Sequence, residues 1–121
     1  MCNWHYICIM VRQIKAFGNY YKDFMSGLSE MEQRKIRKGL LLFSENERLP
    51  SHYVKYLEDG IYEFSVPCGN NEFRIFFIFD GDVLVILFNG FRKKTQKTPR
   101  KEIEKAKRLK NDYYEQKGSD I

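Results

Sequence analysis

The chain has 121 residues, of which 43% are hydrophobic and 16% aromatic, enough apolar material for a single domain with its own core and too much for a disordered chain. A net charge of +5 and a pI near 9.1 point to an anionic partner, nucleic acid before acidic protein. No apolar run approaches the ~18 residues of a membrane span; Cys2, Cys8 and Cys68 show no C-x-x-C spacing, which argues against a disulfide framework or a zinc site and suits a reducing cytoplasm, and His5 and His52 lie in no metal-ligand pattern.

Met1 to Ile9 is mildly apolar but lacks a cationic head and a small-residue cleavage site, so it does not read as a signal peptide. Met10 offers a second start, which would make residues 1–9 a dispensable leader to a single domain over 1–121. Ile7 to Ile14 reads as a short strand at a sheet edge. Gly18-Asn19 punctuates, with Asn19 as N-cap, and Tyr20, Tyr21, Phe24, Met25 and Leu28 recur at helical spacing. Ser29 and Glu32 form a capping box. Ile36, Leu40 and Phe43 follow on one face of a second helix, with Arg34, Lys35, Arg37 and Lys38 turned to water; it should end near Glu47, before Pro50.

Ser51 to Gly60 reads as a connection. The period then becomes two, with Tyr62, Phe64 and Val66 alternating with Glu63 and Ser65. Turns at Gly69-Asn70-Asn71 and Asp80-Gly81-Asp82 separate this strand from Phe73–Phe79 and Val83–Asn89, giving an antiparallel meander. Thr98 as cap and Pro99 at the first helical position open a last helix, whose stripe is Ile103, Ala106, Leu109 and Tyr113. Residues 118–121 read as a loose tail. The fold class is α+β: two N-terminal helices packed on a small twisted antiparallel sheet with an N-terminal edge strand, then a C-terminal helix.

The turns suggest a register. Pairing Val66 with Phe73 sets Phe64 against Ile75 and Tyr62 against Phe77. Pairing Phe79 with Val83 sets Phe77 against Val85 and Ile75 against Leu87. One face is then apolar throughout (Tyr62, Phe64, Val66, Phe73, Ile75, Phe77, Phe79, Val83, Val85, Leu87) and belongs to the core. The other is mixed. Phe76, Ile78 and Ile86 need cover from the last helix or a partner protein, while Glu63, Ser65 and Arg74 gather at one end, near where the last strand runs into Arg92, Lys93 and Lys94. A one-residue slip would bury Arg74 unpaired, which is prohibitive. Arg74 reads either as an ion pair with Glu63 that orders the sheet or as a phosphate contact in a shallow basic groove.

Charge is concentrated after the meander. From Arg92 to Lys110 there are ten Lys/Arg against two Glu, a local +8, so the remainder of the chain sums to −3. That is the footprint of a phosphate-binding surface or of a solvated basic helix face.

Asp59-Gly60-Ile61-Tyr62-Glu63, Phe73-Arg74-Ile75-Phe76, the block Asn89-Gly90-Phe91-Arg92-Lys93-Lys94-Thr95-Gln96-Lys97-Thr98-Pro99 and Glu102-Ile103-Glu104-Lys105-Ala106 resemble the RelE/ParE toxin superfamily. Within it they are most similar to the phage-derived HigB-like branch. The likeness runs in order from about Val11 to Lys117, and the G-F-x-K-K-T-x-K-T-P block is its most specific part. The resemblance implies two helices, a small twisted antiparallel sheet and a C-terminal helix.

It further implies a cytoplasmic toxin of a type II toxin–antitoxin system, acting as a ribosome-dependent mRNA endonuclease without metal or other cofactor. There the ribose 2′-hydroxyl attacks the adjacent phosphate, and the protein positions it, moves protons and stabilises charge. On the matching positions, Arg74, Lys93 and Lys94 would stabilise the transition state, and Glu63 or Tyr62 would assist proton transfer. Lys55 would grip RNA, and Arg92, Lys97, Arg100 and Lys101 would hold nucleic-acid backbone with salt-sensitive affinity. The partners implied are a helix-turn-helix antitoxin, mRNA on the ribosome and, through the antitoxin, operator DNA, with no membrane. Position 65 departs from the pattern: the branch commonly carries arginine there, and this chain has Ser65. Loss of one charge-stabilising donor costs about 10²–10³ in rate, which leaves open a slow or degenerate copy or one that leans on Arg92; the alternatives of the same fold are a non-cleaving toxin of the gyrase-inhibitor type and an inactive relative that only binds its antitoxin.

Overall fold

The computed structural model describes residues 11–49, 52–94 and 97–119. Strands β1 (Gln13–Ala16), β2 (Val54–Glu58), β3 (Ile61–Cys68), β4 (Asn71–Asp80) and β5 (Leu84–Arg92) form one sheet in the order β1-β5-β4-β3-β2. Helices α1 (Tyr20–Ser26) and α2 (Glu30–Glu45) cover one face and α3 (Arg100–Ser119) the other. The class is α+β, but the sheet differs from the expected meander in two ways.

First, it is mixed, because β1 pairs parallel with β5; α1 and α2 carry the chain from that edge to β2 at the other. The strand expected over Ile7–Ile14 starts at Gln13, and its first part, like the leader over residues 1–9, lies outside the described residues. Second, β2 occupies the stretch read as connection. Val54-Lys55-Tyr56-Leu57-Glu58 pairs antiparallel with β3, but a bulge between Tyr56 and Glu58 interrupts its alternation and hides the strand period. At the other end, α3 runs to Ser119, past the point where a loose tail was expected. Among the described residues no helix is long and apolar enough to cross a membrane.

The β3–β4 register is the one expected: Tyr62–Phe77, Phe64–Ile75, Ser65–Arg74 and Val66–Phe73. The β4–β5 hairpin is offset. Its turn takes in Val83, so Phe79 meets Val85 and Phe77 meets Leu87. A shift of this parity keeps every side chain on its face, and Val83 alone leaves the core, 53% exposed at the turn. Farther along, β5 bulges between its pairs with Phe77 and Ile75, so Ile75 meets Gly90, Arg74 meets Phe91 and Phe73 meets Arg92. The extra residue inverts the faces beyond it: Phe91 turns toward α3, stacked on Phe76 at 5.4 Å, and Arg92 turns toward α1 and α2.

Two cores result. Ile36, Leu40 and Phe43 of α2 pack with Phe64, Phe73, Ile75, Phe77, Val85 and Leu87. Ile103, Ala106 and Leu109 of α3 pack with Ile61, Phe76, Ile78, Ile86 and Phe88, so the last helix covers the face that needed cover. The Ser29–Glu32 capping box forms in both directions, whereas Asn19 makes no side-chain cap to α1. Arg12 closes the other end of α2: its guanidinium donates to Phe43 O (2.9 Å), Glu47 O (2.8 Å) and Asn46 O and lies over the Phe43 ring. A cation there satisfies carbonyls the helix leaves open and complements its dipole.

Gly90 is set by packing. A Cβ at this position would lie 2.5 Å from Phe24 Cδ2 and 2.9 Å from Phe24 Cγ. Phe24 cannot yield easily, because it also packs edge-on against Phe73 at 6.2 Å. Gly90→Ala is therefore expected to cost about 1–3 kcal/mol by overpacking, read as a lower urea midpoint with an unchanged slope; a neutral result would show that α1 shifts freely over the bulge.

Candidate functional site

The register brings Glu63 and Arg74 together on the α3 side of the sheet, one strand apart and one step along. Arg74 is 9% exposed and Glu63 fully buried. Arg74 Nη1 donates to Glu63 Oε1, and Nη2 lies 3.0 Å from Glu72 Oε1. Thr98 Oγ1 donates to Glu63 Oε2 at 2.7 Å. Both oxygens of the buried carboxylate are thus engaged, one by β4 and one by the segment leading into α3. Ser65 stands opposite Arg74.

This arrangement revises the expected start of α3. The helix begins at Arg100, with Glu102 N–H donating to Pro99 O at 3.1 Å. Thr98 therefore precedes the cap position, and its hydroxyl goes to Glu63 instead. Asn89, buried at the bulge, donates to Glu102 Oε1 (3.2 Å) and Glu102 O (3.3 Å) and adds a second tie between β5 and the first turn of α3.

The other candidate residues divide. Lys55 is exposed and pairs in register with Glu63 from β2, so it shares the face. Lys93 N–H donates to Glu72 O at 2.8 Å, which holds the start of the Lys93-Lys94 segment against the strand carrying Arg74. Lys94 is exposed and Lys93 partly so. Lys97 is exposed in the same connection, while Thr95 and Gln96 lie outside the described residues.

Two residues fall on the far face. Tyr62 packs among Phe77 (5.4 Å), Phe79 (4.9 Å) and Tyr56 (5.1 Å) on the α2 side, where it cannot exchange a proton with a group beside Arg74. Arg92 lies over Phe73, with Nη2 3.4 Å from Glu32 Oε2. The bulge puts it there, so it does not stand in for the arginine absent at position 65.

Much of the charge on α3 is spent within the chain. Arg100 binds both oxygens of Glu58 at 2.6 Å and also Glu104. Lys107 bridges Glu58 (3.0 Å) and Asp59 (2.9 Å), and Lys110 donates to Asp59 O. Lys117 and Tyr113 both donate to Asp80. Arg100, expected on nucleic acid, instead clamps α3 to the β2–β3 turn, while Lys101 stays exposed one residue on.

These contacts have a pH signature. Hydrogen bonds from Arg100 and then Lys107 pull the Glu58 carboxyl from 4.5 to about 2, and Lys117 and then Tyr113 lower that of Asp80. A carboxyl lowered on folding stabilises the fold above its unfolded pKa and loses that contribution as pH falls through the folded value. The acid limb of stability should therefore lie between 4.5 and about 2 for Glu58. Burial, then the bond to Asp80, raises the Tyr113 hydroxyl from 10.0 to about 12, so its contribution fades as pH rises across that interval. Glu58→Gln should flatten the acid limb of an unfolding-midpoint profile and leave the alkaline limb in place; an unchanged acid limb would show that Glu58 does not hold α3.

Glu72 and Thr98 are the site residues that the sequence did not single out. Glu72 was legible: two residues before Arg74 on one strand, it shares its face. Thr98 had no such signal, since its partner lies far away in sequence. A cleft between the β1–β5 edge and the end of α3, lined by Phe17, Tyr20, Leu84, Ile86, Tyr113 and Lys117, contains none of the candidate residues. Among the described residues no three His, Cys, Asp or Glu side chains gather as metal ligands.

No protein with a curated description matches the chain. The description "Phage derived protein Gp49-like" (DUF891) matches residues 23–111, from α1 to within α3. That stretch takes in the Glu63–Arg74 pair, the lysine segment and Thr98, and the chain belongs to the Gp49-like family of phage-derived proteins.

Proposed function

We propose that this chain is the toxin of a type II toxin–antitoxin pair and a metal-independent, ribosome-dependent endonuclease of mRNA in the cytoplasm, of the HigB-like branch of the RelE/ParE superfamily. The observation that carries the reading is the junction of β5 with β4. The G-F-x-K-K-T-x-K-T-P block leaves the sheet beside Arg74, its Lys93 held to the Glu72 backbone and its Thr98 hydroxyl on Glu63. The most family-specific stretch and the buried charge pair thus form one structural unit.

In the reaction the 2′-hydroxyl oxygen forms a bond to the adjacent phosphorus and gives its proton to solvent water, while the phosphorus–O5′ bond breaks and O5′ takes a proton from water, so that no net proton is gained or lost. Arg74, Lys93 and Lys94 offset the charge that builds on the phosphate oxygens. Glu63, with both oxygens engaged, orients Arg74 rather than taking the proton. Lys55 and Lys101 hold the strand, and Lys97 belongs to the same connection. A helix-turn-helix antitoxin would cover this rim and, with the toxin, bind operator DNA.

A second reading is favoured by Ser65 opposite Arg74 and by the two carboxylates that meet the Arg74 charge: an inactive relative that only binds its antitoxin. Expression in cells, with and without the gene next to this one, where the antitoxin of such a pair is expected to be encoded, separates the two. Growth arrest with codon-phased cuts by primer extension, both relieved by that gene, supports the endonuclease. Loss of DNA supercoiling without cuts would make it a gyrase-type toxin, and no arrest at all would leave the binding-only relative.

A further inference from the structure

The guanidinium of Arg74 has three nitrogens that can donate hydrogen bonds, and among the described residues only Nη1 makes one; Nη2 meets a carboxylate as an ion pair. Nη1 donates to Glu63, Nη2 faces Glu72 Oε1 at 3.0 Å, and Nε is buried with no hydrogen-bond partner among the described residues. Nε and Nη2 lie along the same edge of a guanidinium, where they form a two-donor fork that fits two oxygens of a carboxylate or phosphate. Glu72 sets one oxygen against the Nη2 prong as an ion pair. The other prong is an unsatisfied buried donor, a costly state for a charged group.

The two carboxylates on Arg74 are not equivalent. Glu63 is fully buried and pinned from its other side by Thr98, whereas the Glu72 side chain is 41% exposed. Glu72 can give up Arg74 for water; Glu63 cannot without stranding a charge. The strand does not depend on the Glu72 side chain, because its backbone carbonyl holds Lys93 N–H. That bond also keeps the exposed lysine segment beside the fork whichever way the carboxylate points.

We infer that the Nε–Nη2 edge of Arg74 is a phosphodiester-binding fork and that Glu72 is its internal competitor, a carboxylate that occupies the fork until an RNA phosphate displaces it. The inference rests on the reading of Arg74 as an RNA contact. The exchange replaces one carboxylate oxygen with two phosphate oxygens and satisfies Nε. It also sets a threshold. A small anion gains only the fork, while a nucleic-acid strand gains the fork together with Lys93 and Lys94, so Glu72 selects for strands.

The test uses the full chain and a single-stranded RNA oligonucleotide methylated at every 2′ oxygen, which cannot be cut by 2′ attack. At one fixed salt concentration, Glu72→Gln should bind it about tenfold tighter than the parent chain. In an Arg74→Lys background, which keeps a cation beside Glu63 but has no fork, the same change should gain no more than about twofold. No gain in the parent background, or equal gains in both, would overturn the inference, the second by reducing Glu72 to bulk charge. Should Arg74→Lys not fold, the Arg74 Nε resonance of the parent chain decides: it should shift in step with oligonucleotide binding, and a resonance unmoved at saturation overturns the inference. A chain with the Glu72 effect that leaves translated mRNA intact would lose the endonuclease reading and keep this one. A chain that cuts mRNA without a Glu72 effect would do the reverse.

Discussion

Arg74→Met should lower the unfolding free energy by about 3–5 kcal/mol, the penalty for leaving one member of a buried ion pair without its partner. Glu63 is fully buried, and after the substitution its charge would be met, among the described residues, only by the Thr98 hydroxyl. Glu63→Met should cost less, because Arg74 keeps Glu72 and a path to water. The double variant Glu63→Met/Arg74→Met should recover most of the loss, since a buried pair replaced by apolar side chains is often neutral or stabilising. Urea unfolding of the four proteins closes the cycle. A single-variant cost below about 1 kcal/mol would place the pair in the exposed class, where ion pairs contribute little. The cycle also bears on function: loss of growth arrest in an Arg74 variant means lost chemistry only where the folded fraction is unchanged.

The faces of the sheet were legible because alternation from Tyr62 to Val66 and from Phe73 to Phe79 is strict and a one-residue slip would bury Arg74 unpaired. The same logic showed that Phe76, Ile78 and Ile86 needed cover from the last helix or a partner protein, and α3 supplies it. It failed where a strand breaks its own period. The β2 bulge hid a strand, and the β5 bulge moved Arg92 to the far face, because an extra residue changes parity without any marker as strong as a turn dipeptide. Asn89-Gly90 looked like the end of a strand, yet Gly90 is there because Phe24 lies on it. The site was legible as far as its chemistry is local: Glu63 and Arg74 followed from register, and Glu72, which the sequence did not single out, could have followed from alternation. The Thr98 bond to Glu63 and the Arg100 clamp on Glu58 are tertiary, and a dense run of cations does not reveal which of them the fold itself consumes. The +8 segment looked like one surface; Arg100, Lys107 and Lys110 are engaged at the β2–β3 turn, which leaves the Lys93-Lys94 step as the part closest to Arg74.

That step should carry the largest functional effect. Lys93→Ala/Lys94→Ala is expected to slow cleavage of translated mRNA by about 10²–10³, the usual cost of removing a preorganised donor from a developing oxyanion. Stability should move by no more than about 0.5 kcal/mol, because the change strands no buried charge and the Lys93 bond to Glu72 is made by backbone. Lys101→Ala serves as the comparison. It lies on the outer face of α3 and should weaken binding, reduce the salt dependence by about one counterion and leave the rate at saturating message unchanged. The split between rate and affinity separates the two roles: a group acting on the transition state lowers the saturated rate, and a group that only grips phosphate does not. Cleavage at the parent rate in the folded double variant would remove the lysines from the chemistry and leave Arg74 alone, already shared by two carboxylates. With Ser65 in place of a second arginine, so little cationic charge at the phosphate would favour the binding-only relative.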